Sequence, residues 1–254
     1  MLLLLNKEVG VTKSPISRVG GKSRLTSRIV PLFPEHRVYV EVFFGAGACY
    51  FAKEPSEIEV INDVDGGLVN FFRVVKYHPE ELDRQLAYYC RSRQVFRELD
   101  REPSLTDIQR AVTWYVQHRL SFGGMGRHFG YAREGGGGGL TALRRDFEAI
   151  AARMVRTTIE NDDFEAILRR YDSPGAFFYV DPPYTGLTCP YPYKWTEADE
   201  KRLWGMLAKV KGRWLVSWGG RFPEELKSYR VIEISTTKCL SGPKAALEWA
   251  IANY

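Results

Sequence analysis

Residues 176–184, AFFYVDPPY, restrict the fold more than any other stretch of this chain. The run Ala176–Val180 is short, apolar and rich in aromatic residues, with Ser173, Pro174 and Gly175 as turn residues before it. It reads as a strand buried on both faces. Pro182 and Pro183 have no N–H to give to a ladder, so the strand must stop at about Asp181. A residue that precedes proline is held extended. The segment is thus stiff and sits at a strand's carboxyl end, where open α/β sheets bind their ligands. The residues alone allow two readings. One is a rigid turn whose acid caps a neighbouring element. The other is a preset bracket of one acid, one backbone carbonyl and one aromatic face, suited to a planar ligand.

The flanking sequence supplies the sheet that such a strand needs. VYVEVFFGAGACYFAK at 38–53 predicts a strand, a glycine turn and the start of a helix. IEVINDVDGGLVNFFRVVK at 58–76 predicts a second strand ending in acids, then a helix with Leu68, Val69, Phe72 and Val75 at helical spacing. This alternation marks a doubly wound parallel sheet. From about 77 to 157 the texture turns helical: EELDRQLAYYCRSRQVFREL, LTDIQRAVTWYVQHRL and LRRDFEAIAARMV read as amphipathic helices. Among them lies a glycine-rich, basic and aromatic loop, SFGGMGRHFGYAREGGGGGL, in which Gly135 to Gly139 read as a low-complexity, mobile stretch. Strand signals resume at TTIEND, AFFYVD, GRWLVSW, YRVIEIS and LEWAIANY. The expected class is α/β: a Rossmann-like, doubly wound, mostly parallel sheet with a mostly helical insertion. The last strands, with short connections, are expected to pair antiparallel at one edge.

Composition bounds the partners. A chain of 254 residues with 44% hydrophobic and 26% charged residues is an ordinary globular protein, long enough for one large domain carrying an insertion. Its net charge of +5 is compatible with a nucleic-acid partner without requiring one. The cysteines at 49, 90, 189 and 239 are far apart and form no Cys-x-x-Cys or Cys/His cluster, so no structural zinc site and a reducing compartment are expected. MLLLLNKEV is too short for a signal peptide, and no stretch approaches the roughly 18 apolar residues of a membrane span. A soluble, cytoplasmic protein is the expectation.

In FFGAG, Gly45-x-Gly47 follows a strand, where glycines let the backbone approach a ligand and turn into a helix. A dinucleotide fingerprint needs a third glycine where Tyr50 stands, which argues against nicotinamide and flavin dinucleotides. A plain tight turn is the alternative. Asp63, at the end of the second predicted strand, suits a ribose diol, because a carboxylate accepts two hydrogen bonds. Asp63 and Asp65 equally suit the N-cap of the helix that follows. RVGGKSRL at 18–25 has Ile16 where a phosphate loop needs its first glycine. Lys22 can still meet a carboxylate or a phosphate, or be an ordinary exposed lysine at a helix start. Three loops at strand carboxyl ends therefore carry ligand-like residues. Together they describe a nucleoside-like ligand without a pyrophosphate cradle, which S-adenosylmethionine fits.

With GGK at 20–22, VEVFFGAG at 40–47, INDVD at 61–65, NDDF at 161–164, YVDPPY at 179–184 and the closing EWAIANY, the chain resembles the Dam-type DNA adenine-N6 methyltransferases over nearly its whole length. The resemblance implies a catalytic, S-adenosylmethionine-binding domain formed by 1–76 and 158–254, with 77–157 as a target-recognition insertion. Carried over residue by residue, it implies that Arg18, Lys22, Glu41, Phe43, Gly45, Gly47, Asp63, Asp163 and Asp181 serve the cofactor. Lys22 would meet its carboxylate, Asp63 the ribose and Asp163 the adenine amino group. Asp181 would lie beside the methionine part and also meet the target base. FGGMGR at 122–127 resembles the recognition segment, which makes Arg119, Met125, Arg127, His128 and Arg133 DNA-binding candidates. Arg144 and Arg145 are further basic residues for that face. Arg127 stands where a base-contacting arginine is expected, and an arginine can pair bidentately with guanine. Two departures stand out. Arg18 takes a place where the family usually has an aromatic residue, and HFGYAREGGGGG replaces the family's usual continuation, so no target sequence carries over.

The bracket then has a chemical reason. The exocyclic amine of adenine is a poor nucleophile because its lone pair is delocalised into the ring. Asp181 and the Pro182 carbonyl can each accept one N–H, while Pro183 withholds a competing donor and stiffens the segment. Tyr184 would stack on the base, worth about 1–3 kcal/mol. A duplex base must be flipped out to reach such a site. No metal is required. Similar bracket chemistry serves N4 of cytosine or adenine in RNA, and a catalytically silent DNA-binding protein of the same fold is a further alternative. Double-stranded DNA is the expected partner. A cognate restriction endonuclease, the oligomeric state and a bacterial or phage host are left open.

Overall fold

The computed structural model describes residues 11–18, 20–99, 101, 104–130, 143, 145–184, 193–219, 222–234 and 248–254. Among these, seven strands make one sheet: β1 (Val38–Glu41), β2 (Ile58–Asn62), β3 (Thr157–Glu160), β4 (Ala176–Val180), β5 (Arg213–Gly219), β6 (Arg230–Glu233) and β7 (Glu248–Ala252), in the order β3-β2-β1-β4-β5-β7-β6. β1 runs parallel to β2 and β4, and β4 parallel to β5. β7 is antiparallel to both β5 and β6. The mostly parallel sheet with an antiparallel edge is the one expected. All five residues of β4 are buried and the strand stops at Val180, as the proline pair requires.

The helices are α1 (Thr26–Ile29), α2 (Ala48–Ala52), α3 (Gly66–Tyr77), α4 (Pro79–Leu86), α5 (Arg93–Leu99), α6 (Asp107–Leu120), α7 (Phe147–Met154), α8 (Phe164–Tyr171) and α9 (Glu197–Leu207). Their starts follow capping chemistry. Asp65 caps α3 by accepting from the N–H groups of Gly67 and Leu68, and Asp163 caps α8 through Glu165 N–H. Thr106 with Gln109, and Thr196 with Asp199, form capping boxes before α6 and α9. The acid that caps α3 is therefore Asp65 rather than Asp63.

The chain folds into two compact units: residues 1–21, 45–55 and 65–159, and residues 22–44, 56–64 and 160–254. In the second unit, one sheet face brings Val40, Phe178, Val180 and Val216 against Ile167 and Leu168 of α8 and Leu203 and Leu207 of α9. On alternate positions, Tyr39, Phe177 and Tyr179 pack around Phe33, with ring centroids 4.8–5.9 Å from it. Each such apolar side chain contributes about 1.5–3 kcal/mol on burial. The first unit is helical at its centre, where Phe71 of α3 stacks on Tyr115 of α6 at 5.0 Å and Phe147 of α7 meets both rings edge-on. The low-complexity stretch Gly135–Gly139 lies outside the described residues. Among the described residues no helix is long and apolar enough to cross a membrane.

Candidate functional site

The bracket at the end of β4 is a charged cluster inside the second unit. Lys22 is only 4% exposed, and its Nζ lies 2.8 Å from Asp181 Oδ1 and donates to the Tyr184 hydroxyl at 2.8 Å. A second carboxylate, Glu248 Oε2 at the start of β7, is 3.9 Å away. Lys22 is thus no ordinary exposed lysine. Burial alone would lower its pKa, but Asp181, Tyr184 and Glu248 outweigh that and hold it well above the usual lysine range. Burial pushes Asp181 up, against the opposing pull of the ammonium. Glu248 is also raised, by burial first, and Tyr184 is raised by burial and by Asp181.

The way these contacts divide the carboxylate is informative. Tyr184 OH reaches Asp181 Oδ1 at 3.4 Å, so both partners sit on the same oxygen. Among the described residues Oδ2 has no partner, and no hydrogen bond reaches the Pro182 carbonyl. Two neighbouring acceptors are left for an incoming donor pair. Tyr184 is fixed by Trp218, edge-on at 5.1 Å, and by residue 219, where an added Cβ would lie 2.9 Å from Tyr184 Cε2. Pro183 continues the segment without offering an N–H.

Other expected cofactor residues in this unit sit at the carboxyl ends of its strands. Glu41 is buried, and Tyr39 donates its hydroxyl to Glu41 Oε2 at 2.6 Å. Phe43 packs edge-on against Trp195 at 5.5 Å and lies tilted against Phe164 at 5.7 Å. Asp163 keeps 44% of its side chain exposed while Oδ1 serves Glu165 N–H and Arg202 at 3.0 Å. Asp63 holds its neighbour in place through its carbonyl, which accepts from Asn161 Nδ2 at 2.8 Å. Asn62 locks the same ends together by donating to the carbonyls of Val42 and Asp162. An ammonium, carboxylates near strand ends and the half-buried ring of Phe43 are groups that fit an amino-acid carboxylate, a diol and a purine.

The remaining candidates belong to the first unit. Gly47, at φ 64°, is the left-handed N-cap of α2, a conformation that favours glycine. Gly45 also has positive φ, and an added Cβ there would meet nothing within 4 Å. Arg18 forms a buried ion pair with Asp65 and lies over the Trp114 ring at 5.5 Å. It therefore ties the segment before Gly20 to the cap of α3 and to α6. The loop after α6 is closed by Ser121 pairing with Phe129 and by Phe122 N–H donating to His128 O at 2.8 Å. Ser121 Oγ accepts from Gly126 N–H and donates to His118 O. Gly124 has φ +70°, and a Cβ there would come within 2.2 Å of Ser17 O. Arg127 and His128 are exposed on this loop, Met125 is half-buried, and Phe122 is 67% exposed. Arg119 is half-buried, and burial lowers its pKa. Arg133 and Arg144 lie outside the described residues.

Glu248, Trp195 and Phe122 were not singled out by sequence. Glu248 opens EWAIANY, but only the antiparallel pairing Gly219↔Glu248 puts it beside the bracket. Phe122 opens FGGMGR, and its exposure is the signal that an apolar ring there lacks a core.

A family model described as D12 class N6 adenine-specific DNA methyltransferase matches residues 19–219. The chain is 29% identical over 187 residues to the Type II methyltransferase M1.LlaDCHI of Lactococcus lactis subsp. cremoris, covering 66% of this chain and 64% of that protein. It thus spans just under two thirds of that relative's length. Two solved structures share little sequence: a conserved hypothetical protein from Streptococcus pyogenes (TM-score 0.40, 10% identity, 91% of this chain and 94% of that one) and the rRNA methyltransferase AviRa from Streptomyces viridochromogenes (TM-score 0.39, 13% identity, 98% and 90%).

Proposed function

Because the chain belongs to the D12 class of N6 adenine-specific DNA methyltransferases, we propose that it methylates N6 of an adenine flipped out of duplex DNA at a defined site, using S-adenosylmethionine. The observation that supports this most is the division of labour on Asp181. Oδ1 is occupied by Lys22 and Tyr184, while Oδ2 and the Pro182 carbonyl are left as acceptors among the described residues. An exocyclic amine offers two N–H groups, one for each. Accepting both localises the nitrogen lone pair and aims it.

S-adenosylmethionine, when bound, supplies a methyl group on a sulfonium. Lys22 holds Asp181 and Tyr184 and brings to the site a positive charge that suits a carboxylate. Asp63 and Asp163 suit a ribose and an adenine amino group, and the half-buried Phe43 offers an apolar ring face. Glu41, Gly45 and Gly47 shape the turn that follows β1, and Arg18 supports the cofactor segment through Asp65 rather than by direct stacking. Tyr184, held by Trp218, presents a ring for the target base. Residues 1–76 and 158–254 carry catalysis in this reading, and 77–157 carry target recognition. Arg127, His128, Arg133 and Met125 face DNA, with Phe122 suited to fill the gap that a flipped base leaves. The half-buried Arg119, in the last turn of α6, joins them in this reading. The chain works in the cytoplasm, alone or beside a cognate restriction endonuclease.

Thermal denaturation tests the cofactor reading. Adenosylmethionine should raise the melting temperature and NADH should not. The reverse result would send the chain to a different chemistry.

A further inference from the structure

The charges around the bracket do not balance. Among the described residues one ammonium, Lys22, faces two carboxylates, Asp181 at 2.8 Å and Glu248 at 3.9 Å. With all three ionised the cluster carries one net negative charge. Each acid is 18% exposed at its side chain and the lysine 4%, so solvent screens the excess only in part. The proposed reaction accounts for Lys22, Asp181 and Tyr184 but gives Glu248 nothing to do.

The fold makes room for Glu248 deliberately. Its partner across the β5–β7 ladder is Gly219, and a Cβ at that position would lie 2.9 Å from Tyr184 Cε2 and 3.4 Å from Glu248 Cγ. Any larger residue at 219 would push the tyrosine and the glutamate apart. The acid, the tyrosine ring and the missing side chain form one packed unit at the sheet's antiparallel edge. Burying a carboxylate is costly unless something compensates. Lys22 compensates in part, but it already answers Asp181.

A ligand that brings one extra positive charge completes the balance. Adenosylmethionine at neutral pH carries a sulfonium, an ammonium and a carboxylate, net +1. The thioether product left after methyl loss is net neutral and otherwise almost the same molecule. A site with one surplus negative charge therefore distinguishes reactant from product by charge alone. We propose that Glu248 is a specificity-determining residue that favours the cationic methyl donor over its neutral thioether product, which limits product inhibition. This rests on the adenosylmethionine reading above. It assigns Glu248 no part in moving a proton or touching the base.

Isothermal titration with adenosylmethionine and with adenosylhomocysteine tests it on the full chain without DNA. In Glu248→Gln, adenosylmethionine affinity should fall about three- to ten-fold while adenosylhomocysteine affinity holds within about two-fold, as expected for removing one partly screened charge. Glu248→Asp should restore most of the preference. Equal weakening of both ligands in Glu248→Gln, with the preference intact, would overturn the proposal and leave Glu248 a packing residue. Should the glutamine variant fail to fold, the wild type still decides. An analogue with a protonated amine in place of the sulfonium should bind nearer to adenosylmethionine than to the thioether, and the opposite order would overturn the proposal. Wild-type chain that binds neither natural ligand would instead strike the cofactor reading itself.

Discussion

The bracket after β4 and the loop after α6 are built on opposite principles. The bracket uses charged side chains that are mostly buried and gripped by one another, Lys22 by Asp181 and Tyr184, with Trp218 and Gly219 fixing the ring. The loop uses glycines at positive φ to fold tightly and then points Phe122, Arg127 and His128 outward. In the proposed reading one region holds a reacting group still and the other presents a shape to a partner. Removing a charge from the first leaves its partner stranded in a poorly solvated place, whereas truncating an exposed side chain in the second leaves the fold untouched.

The largest effect should come from breaking the bracket. Asp181→Ala removes the acceptor and leaves the Lys22 ammonium with Tyr184 and with Glu248, 3.9 Å away. Methyl transfer should fall by about 10²–10³-fold or more, and the chain should lose about 1.5–3 kcal/mol of stability, the worth of a hydrogen bond to a charged group. Radiolabel transfer and urea unfolding measure the two. Asp181→Asn should lose the activity with a smaller stability cost, which separates chemistry from folding.

The loop has one position where backbone, not side chain, is critical. Gly124→Ala places a Cβ 2.2 Å from Ser17 O at φ +70°, so the loop must move. The expected cost is about 1–3 kcal/mol. DNA binding, read by fluorescence anisotropy, should weaken while adenosylmethionine binding persists. Loss of both together would mean that the loop and the cofactor residues are not separable as argued.

Arg127→Ala should behave differently again. It is exposed, so the melting temperature should hold, while discrimination at one base of the target falls by about 1–3 kcal/mol. Methylation rates across single-base target variants measure it, and an unchanged preference would remove Arg127 from the reading role.

The smallest effect is a pH dependence beneath the loop. Burial lowers the pKa of His118 below its ordinary 6.5, and its Nδ1–H donates to Trp114 O at 2.7 Å. Below that value the unfolded chain takes up the proton more readily than the folded one. Stability tied to the neutral ring is therefore present above pH 6.5 and lost as the pH falls below it. Melting temperatures from pH 7 to pH 5 should drop less steeply in His118→Phe than in wild type.

Sequence revealed these two regions unevenly, for a physical reason. A proline pair ends a strand wherever it occurs, so the limits of β4 and the direction of the bracket were readable from nine residues. The antiparallel edge was expected from the last strand signals, but the links there are longer than the short connections on which that expectation rested, and the order β5-β7-β6 was not foreseen. Residues that act through distant partners were not. Lys22, on residue type alone, suited an exposed helix start; its burial depends on Asp181, reached only once β4 is in place. Arg18 takes its role from Asp65, and Glu248 from the register that sets it opposite Gly219. Asp63 and Asp65 were equally good caps on paper, and backbone geometry chose Asp65. Which base Arg127 would meet in the proposed reading depends on the partner's sequence, so no reading of these residues names it.

The central claim is that Asp181 and the Pro182 carbonyl prepare an adenine amine for methylation. The most direct test is transfer of tritiated methyl from adenosylmethionine to unmethylated duplex DNA, with products digested to nucleosides and Asp181→Asn as the control. The account predicts label in N6-methyldeoxyadenosine that disappears in the variant. Label in N4-methyldeoxycytidine, or no label although adenosylmethionine binds, would contradict it.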